Sequence, residues 1–297
     1  MDLRPVALWT MSFDGVPWAD AQSALRSAED AGWPTLWLPE SLGREVLSLA
    51  TACLASTSRL VVATGIANLW ARDPLALSSA QRFLCEAYPD RFLLGVGVSH
   101  SLIANRRGGE FADVPPVRRL REYLDTMDAA PYRGWTVDGP RPRVLAALGP
   151  RMLRLARDRA DGAHTYNSPV AHTAWAREVL GPDRLLIPEL KVVLGRSSAD
   201  ARALARKNLP LTLPAYAANL VRSGFPSEEL ADGGSDRVVD ALVAHGDVDA
   251  VRERIAEHLR AGADQVALNV LTERGRTPAA EWAELASIAQ DLEKEDG

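Results

Sequence analysis

A short apolar segment followed by an amphipathic one recurs about eight times along the 297 residues, and this alternation limits the possible folds more than any other feature. The apolar segments run over residues 5–12, 35–39, 59–66, 91–98, 143–148, 161–166, 185–194 and 265–271. They are near-continuous in apolar character rather than alternating, which is the mark of strands covered on both faces. The segments between them carry helix-period patterns, for example Trp18 to Ala31 with its Ala31-Gly32 stop and Pro278 to Leu292. Strand-then-helix units of this kind imply a parallel sheet wrapped by helices. Eight of them favour a closed (β/α)8 TIM barrel over an open doubly wound sheet, at a length that suits a barrel of ~250 residues with insertions.

No linker marks a second domain, so residues 1–297 read as one barrel domain. Two departures from the repeat are expected. An insertion loop covers about 99–114, and a helical excursion of about 205–240 fills part of the roughly seventy residues between the seventh and eighth strands, too many for one helix.

Composition narrows the partners. A net charge of −5 and a pI near 5.6 argue against a nucleic-acid or anionic-membrane surface. Lysine stands only at Lys191, Lys207 and Lys294, which removes most candidates for a Schiff base or a P-loop, and Lys191 falls short of its strand's end. Cys53 and Cys85 lie in apolar helical patterns without metal spacing and read as buried thiols. No apolar stretch reaches the length of a membrane span, and no secretory leader is evident, so a soluble cytoplasmic protein is expected.

In such a barrel, function sits on the loops after the strands' carboxyl ends. That rule selects Ser12-Phe13, Glu40-Ser41, Ile66 to Trp70, Val98-Ser99-His100, Gly149-Pro150-Arg151, His164 to Asn167 and Asn269. At Gly149-Pro150 a strand feeds directly into a helix. Free amides and the positive end of the helix dipole make that corner a cradle for phosphate, with Arg151 and Arg154 beside it. The alternative is a tight turn that binds nothing. Gly95, Gly97 and Gly65 give up side-chain bulk near strand ends, which would make room for a planar ring; small-residue packing in a tapering barrel is the other explanation. The Gly95-Val96-Gly97-Val98-Ser99-His100 run does not complete a dinucleotide fingerprint.

Three histidines, His172, His245 and His258, fall on expected outer helices and read as surface residues. His100 and His164 fall at strand ends, where an imidazole can move a proton near neutral pH. Glu40 is a carboxylate at the mouth. Trp70 is a candidate pocket wall. With no HExxH, no His/carboxylate cluster and no GxSxG, no metal site and no serine-hydrolase chemistry is expected.

Taken in order, these residues resemble the bacterial luciferase-like flavin and deazaflavin oxidoreductases, and within them the actinobacterial branch of F420-dependent oxidoreductases. The likeness rests on Leu36 to Glu40, Val62 to Pro74, Gly95 to His100, Ala146 to Met152, Ala160 to His164, Ala231 to Ser235 and Ala261 to Val266. It implies a luciferase-like barrel, usually a homodimer, with an isoalloxazine or deazaflavin ring in its mouth. It also implies a non-prolyl cis peptide mapping to Gly65-Ile66 and a phosphate site mapping to Gly149, Pro150, Arg151 and Met152. Ser12, Glu40, Gly65, Ile66, Ala67, Gly97, Val98 and Ser99 complete the expected cofactor contacts, and Glu40, His100 and His164 are the proton-handling candidates. Where some deazaflavin enzymes carry an Asp-His pair after the second strand, this chain has Glu40-Ser41.

The expected activity is hydride transfer between coenzyme F420 and a small organic substrate, the redox chemistry belonging to the cofactor. An FMN-dependent monooxygenase is the alternative enzyme. A flavin- or deazaflavin-binding protein without turnover and an unrelated phosphate-binding isomerase barrel are rivals of other classes. The Ala/Leu-rich helices at 45–55 and 74–88 are the expected dimer faces.

Overall fold

The structure, a computed structural model, describes residues 3–108 and 114–295, with side chains described to residue 291. Ten strands occur among them: β1 (Val6–Trp9), β2 (Thr35–Leu38), β3 (Val61–Thr64), β4 (Ala67–Asn68), β5 (Phe92–Gly97), β6 (Arg143–Ala146), β7 (Gly162–Thr165), β8 (Leu185–Leu194), β9 (Val243–Gly246) and β10 (Val266–Val270). All pairings are parallel. The path β10-β1-β2-β3-β5-β6-β7-β8 closes on itself where β8 pairs with β10, Leu190 opposite Leu268. Eight strands form the ring, as the repeat predicts.

Period-2 geometry sends alternate residues of each strand inward and outward. The inward set, including Ala7, Trp9, Trp37, Ala63, Leu93, Val144, Ile187 and Ala267, forms a small cluster inside the barrel. The outward set packs with the helices into a much larger shell containing Leu8, Leu36, Val62, Leu94, Leu145 and Leu268. Two interior indoles satisfy their N–H groups without water: Trp37 Nε1 donates to Gln265 Oε1 at 2.8 Å, and Trp9 Nε1 donates to the Gly65 carbonyl at 3.2 Å.

Helix starts follow the local chemistry. Asp73 accepts from the Leu75 and Ala76 amides with Pro74 in the first turn, and Glu45 caps the helix Val46–Ser56 through the Leu47 and Ser48 amides. Cys53 is buried and Cys85 half-buried, and burial raises their thiols to about 12 and about 11, so both are inert at neutral pH.

Three features differ from expectation. The insertion loop is partly helical, over Ser101–Arg106, while residues 109–113 of it, including Gly109, lie outside the described residues. The excursion contains the helices Ser198–Arg206, Pro214–Arg222 and Asp236–Leu242 around a core of its own with Leu204, Leu211, Leu220, Phe225 and Leu230. It returns through β9, a short strand that extends the sheet along the last four residues of β8. His245 therefore lies in a strand, bonded through Nε2 to Asp240 Oδ1 at 2.9 Å, rather than on an outer helix.

His172 and His258 are likewise not surface residues; both are buried. They sit where the helices Val170–Leu180 and Val248–Arg260 face each other, and His258 Nδ1 is 2.9 Å from Thr173 Oγ1. A face turned toward a neighbouring helix is hidden from water but need not be apolar, which the period of one helix alone does not reveal.

Candidate active site

The carboxyl ends of the strands form a mouth that solvent enters. Ile66, Ala146, Leu148, Gly149, Ser99, His100 and Tyr166 are each partly exposed there, and Ala146 is an inward-facing strand residue. A separate cavity of about 490 Å³ lies at the opposite end of the barrel, beside Arg141, Arg143 and Asp161. Of its charges, Arg143 and Arg159 both pair with Asp128.

The peptide Gly65-Ile66 is cis, at the position the family resemblance implies. It makes a bulge between β3 and β4, and the glycines of β5 serve that bulge. A Cβ on Gly95 would lie 2.0 Å from the Thr64 carbonyl oxygen, and one on Gly97 would lie 2.7 Å from Ala146 Cβ and 3.0 Å from Ile66 Cδ1. Thr64 also donates from Oγ1 to the Gly95 carbonyl at 2.7 Å and accepts from the Gly95 amide at 2.8 Å. The expectation that these glycines open a slot for a ring is thus corrected: backbone and the Ile66 side chain fill the space. Gly97, Ala67 and Val98 are buried behind the bulge and support it. Gly95→Ala should destabilise the fold by at least about 2 kcal/mol, since a backbone oxygen cannot step aside. Urea unfolding measures this, and a loss under ~0.5 kcal/mol would refute the packing role.

Glu40 is not an open carboxylate at the mouth. Its side chain is fully buried, Oε1 pairs with Arg72, and Oε2 accepts the Asn68 amide at 2.7 Å. Its own amide donates to the Ile66 carbonyl at 3.2 Å, so Glu40 clamps the segment after the bulge from both sides. With both oxygens engaged it is a poor candidate for moving a proton.

His164 also lies below the mouth. It stacks on Trp37 with ring centroids 4.7 Å apart and donates from Nδ1 to the Ile187 carbonyl at 2.8 Å. Its Nε2 has no hydrogen-bond partner and lies 3.2 Å from where a Gly65 Cβ would stand. Burial pushes its pKa down to about 4, against the pull of the Ile187 carbonyl and Glu189. It is a neutral ring under the bulge, out of reach of a ligand above it.

The strand-helix corner at Gly149 has the expected form, except that the Met152 amide is not free: it donates to the Gly149 carbonyl at 3.1 Å. Pro150 opens the helix Pro150–Arg159, no side chain caps it, and Arg151 is exposed beside it. The excursion adds what sequence reading missed. Arg222 Nη2 lies 3.9 Å from where a Gly149 Cβ would be, its Nη1 donates to Asn219 Oδ1 at 2.8 Å, and its guanidinium lies over the Trp175 ring. His172 holds the same corner from below through a 3.0 Å contact of Nε2 with the Leu148 carbonyl. Ser12 sits in a turn after β1, its hydroxyl 2.8 Å from Thr10 Oγ1. Trp70 is half-buried, donates to the Val98 carbonyl at 2.9 Å and packs under Arg119.

A buried polar cluster forms one wall. Lys191 Nζ donates to Glu189 at 2.9 and 3.1 Å and to Asn167 Oδ1 at 2.7 Å, and it lies 3.9 Å from the centre of the Tyr166 ring. Asn269 Nδ2 donates to Glu189 Oε1 at 2.7 Å. Burial pushes the Lys191 ammonium below its ordinary pKa while Glu189 pulls it back up. Tied down in this way, Lys191 is not a free amine for Schiff-base chemistry. Among the described residues no group of three His, Cys, Asp or Glu side chains is placed to hold a metal, and no helix is long and apolar enough to cross a membrane.

A family model described as luciferase-like monooxygenase matches residues 5–265. The chain belongs to the luciferase-like monooxygenase family. Membership makes it an enzyme of this oxidoreductase class. One relative, a Mycobacterium tuberculosis protein provisionally named a coenzyme F420-dependent oxidoreductase, is 26% identical, with 80% of this chain and 86% of that one covered. Among solved structures, the coenzyme F420-dependent tetrahydromethanopterin reductase of Methanopyrus kandleri is 18% identical with a TM-score of 0.76, and 99% of each chain is covered. The oxygenating constituent of 3,6-diketocamphane monooxygenase from Pseudomonas putida, solved in complex with FMN, is 15% identical with a TM-score of 0.70 and 98% of each covered. These luciferase-like structures share the closed parallel barrel with its surrounding helices.

Proposed function

We propose that this luciferase-like enzyme binds coenzyme F420 at the barrel mouth and transfers a hydride between it and a small organic substrate. The observation that carries the reading is the Gly149 corner, where an uncapped helix terminus and the Arg222 guanidinium converge on one point of the rim. The name of the Mycobacterium tuberculosis relative supports the choice of coenzyme.

The residues present fit the group. Gly149, Pro150, Arg151, Met152 and Arg222 would hold its phosphate. The bulge at Gly65-Ile66, with Ser12 and Ser99 at the rim, would face its ring. A bound deazaflavin supplies the hydride acceptor or donor, and the chain's share is positioning and the proton. Glu40 and His164 shape the floor, which leaves His100 as the proton-handling residue of the original three.

FMN is the second reading, because the diketocamphane monooxygenase shares the fold and holds FMN. Titration of the purified protein with F420 and, separately, FMN, followed by fluorescence, decides between them. Tight F420 binding with weak FMN binding is expected; the reverse order overturns the assignment, and binding without turnover of any substrate would favour a non-catalytic binding protein.

We also infer a homodimer. The helix Pro74–Ala87 leaves Leu75 and Phe83 exposed, with the small residues Ala76, Ser79 and Ala87 exposed beside them. Large apolar groups exposed among small residues suit a symmetric contact. Phe83→Glu should convert the dimer to a monomer in light scattering, and an unchanged mass would place the interface elsewhere.

A further inference from the structure

The amino ends of three neighbouring strands, β6, β7 and β8, border the cavity of about 490 Å³ at the end of the barrel away from the mouth. Five guanidiniums line it against three carboxylates. All three carboxylates are already engaged: Asp128 by Arg143 and Arg159, Asp158 by Arg157, and Asp161 by the Arg143 amide at 2.8 Å. Two of the guanidiniums also cover carbonyls at the end of the helix Pro150–Arg159. Arg143 Nε donates to the Arg159 carbonyl and Arg184 Nε to the Arg157 carbonyl, each at 3.0 Å. Arg82 and Arg141 are left over. Among the described residues neither guanidinium pairs with a carboxylate or a carbonyl, and Arg82 lies over the Tyr132 ring, 5.2 Å from its centre.

The same two arginines also line an adjoining cavity of about 240 Å³, whose other wall is the irregular segment 130–142 with Tyr132, Trp135 and Val137. Trp135 is 78% exposed, more than any other large apolar side chain among the described residues, and Val137 is 43% exposed. An indole left in water contributes nothing to the core, and exposed apolar groups at the edge of a cavity mark a binding surface. Glu86, Asp90 and Asp138 border this smaller cavity, so an anion is disfavoured there and favoured on the arginine side. The two cavities therefore join a cationic half to a flat, apolar half, with Arg82 and Arg141 at the seam.

We propose that this face of the barrel binds a purine nucleotide, with its phosphates on Arg82 and Arg141 in the larger cavity and its base stacked on Trp135. A guanidinium offers a planar fork of N–H donors that matches two phosphate oxygens at once, and an indole face accepts any base. A bare inorganic anion would use the arginines and leave Trp135 without a role. A nucleic-acid strand is disfavoured by the net charge of −5, and an enclosed cavity suits a small ligand better than a polymer. The site lies at the amino ends of the strands, away from the end where barrel chemistry takes place, so the nucleotide is bound and not turned over. This proposal is independent of the F420 reading.

Isothermal titration of the full-length chain with ADP and with GDP tests it, with adenosine and inorganic pyrophosphate as the two halves of the ligand. At least one nucleotide should bind with a Kd below about 100 μM, and adenosine and pyrophosphate should each bind about tenfold or more weakly than that nucleotide. Trp135→Ala and Arg141→Ala should each weaken the nucleotide about tenfold or more. Both side chains are exposed, and the Arg141 carbonyl that accepts from Gln81 Nε2 at 3.1 Å is kept, so both variants should unfold at the wild-type temperature. Arg222→Ala, at the corner beside the mouth, should bind the nucleotide as the wild type does. No binding of either nucleotide to the wild type overturns the proposal, and so does wild-type affinity in Trp135→Ala or Arg141→Ala. Pyrophosphate binding as tight as that of the nucleotide would reduce the site to one for a bare anion and overturn it as well, and loss of binding in Arg222→Ala would place the nucleotide at the mouth instead. The F420 reading stands or falls on its own titration.

Discussion

Lys191→Met should destabilise the enzyme by about 3–5 kcal/mol, because it leaves the Glu189 carboxylate buried without its counter-ion. Glu189 and Lys191 are each about 1% exposed at their side chains, with the ammonium 2.9 Å from Oε1. Methionine has nearly the same length and no charge, so the change isolates the ion pair from the packing around it. Without Nζ, Glu189 retains the Asn269 amide at 2.7 Å and the longer Asn167 backbone contact at 3.4 Å. Two neutral donors do not replace the lost solvation of an anion. The double variant Lys191→Met with Glu189→Leu should recover much of the loss, since nothing charged then remains to be desolvated. Urea denaturation of the two variants gives the comparison. A cost under ~1 kcal/mol for Lys191→Met, or a double variant worse than the sum of its parts, would show that the pair is not a buried counter-ion couple. The same variant should disturb Tyr166, whose ring lies over Nζ.

Acid should destabilise the protein progressively from pH 6.5 downward, before ordinary carboxylates titrate. Burial holds His164 at about 4 and His258 at about 3, and it lowers His172 as well. In the unfolded chain these imidazoles return to about 6.5. Between pH 6.5 and the folded values, the unfolded state therefore binds more protons than the native one. The stability from keeping these rings neutral is fully present above pH 6.5 and is lost as pH falls toward 4. By pH 4.5 each of His164 and His258 accounts for roughly 2–3 kcal/mol of that loss. Urea midpoints between pH 8 and 4.5 should fall accordingly. His258→Asn, which keeps a partner for Thr173, should remove about one proton from the slope. Identical slopes for wild type and variant would mean that His258 is not held neutral in the native state.

These two predictions concern residues that sequence periodicity treats very differently. His164 was visible as a strand-end imidazole because the run Asp161 to Tyr166 reads plainly as a strand. Its position below the bulge was not visible, because that depends on how Gly65, at the end of a strand three places away round the ring, crosses over it. His172 and His258 lie on well-marked helices, yet their burial comes from one helix facing another. Glu189 shares a strand with Lys191, whose side chain lies two positions along on the same face, so their pairing is local. The Asn167 and Asn269 contacts that complete the cluster come from the loop after β7 and from β10. Arg222 and Tyr216 gave no sign of what they would meet, since the excursion was legible as a length too great for one helix and, at Ala231 to Ser235, through the family resemblance.

What the chain alone determined is the repeat: eight apolar strands, the helices between them and the Gly149-Pro150 corner. These are properties of neighbouring residues, set by side-chain period, by proline's missing N–H and by steric room at a single Cα. What only the tertiary structure decided is which polar groups lose water and which find partners. Glu40 became a clamp on Arg72 and the Asn68 amide, His164 a neutral ring beneath the floor, and His100 one half of a pair with Tyr216. Desolvation and hydrogen bonding depend on what the rest of the chain brings to within a few ångströms, and residues more than a hundred positions apart meet there only after the barrel has closed.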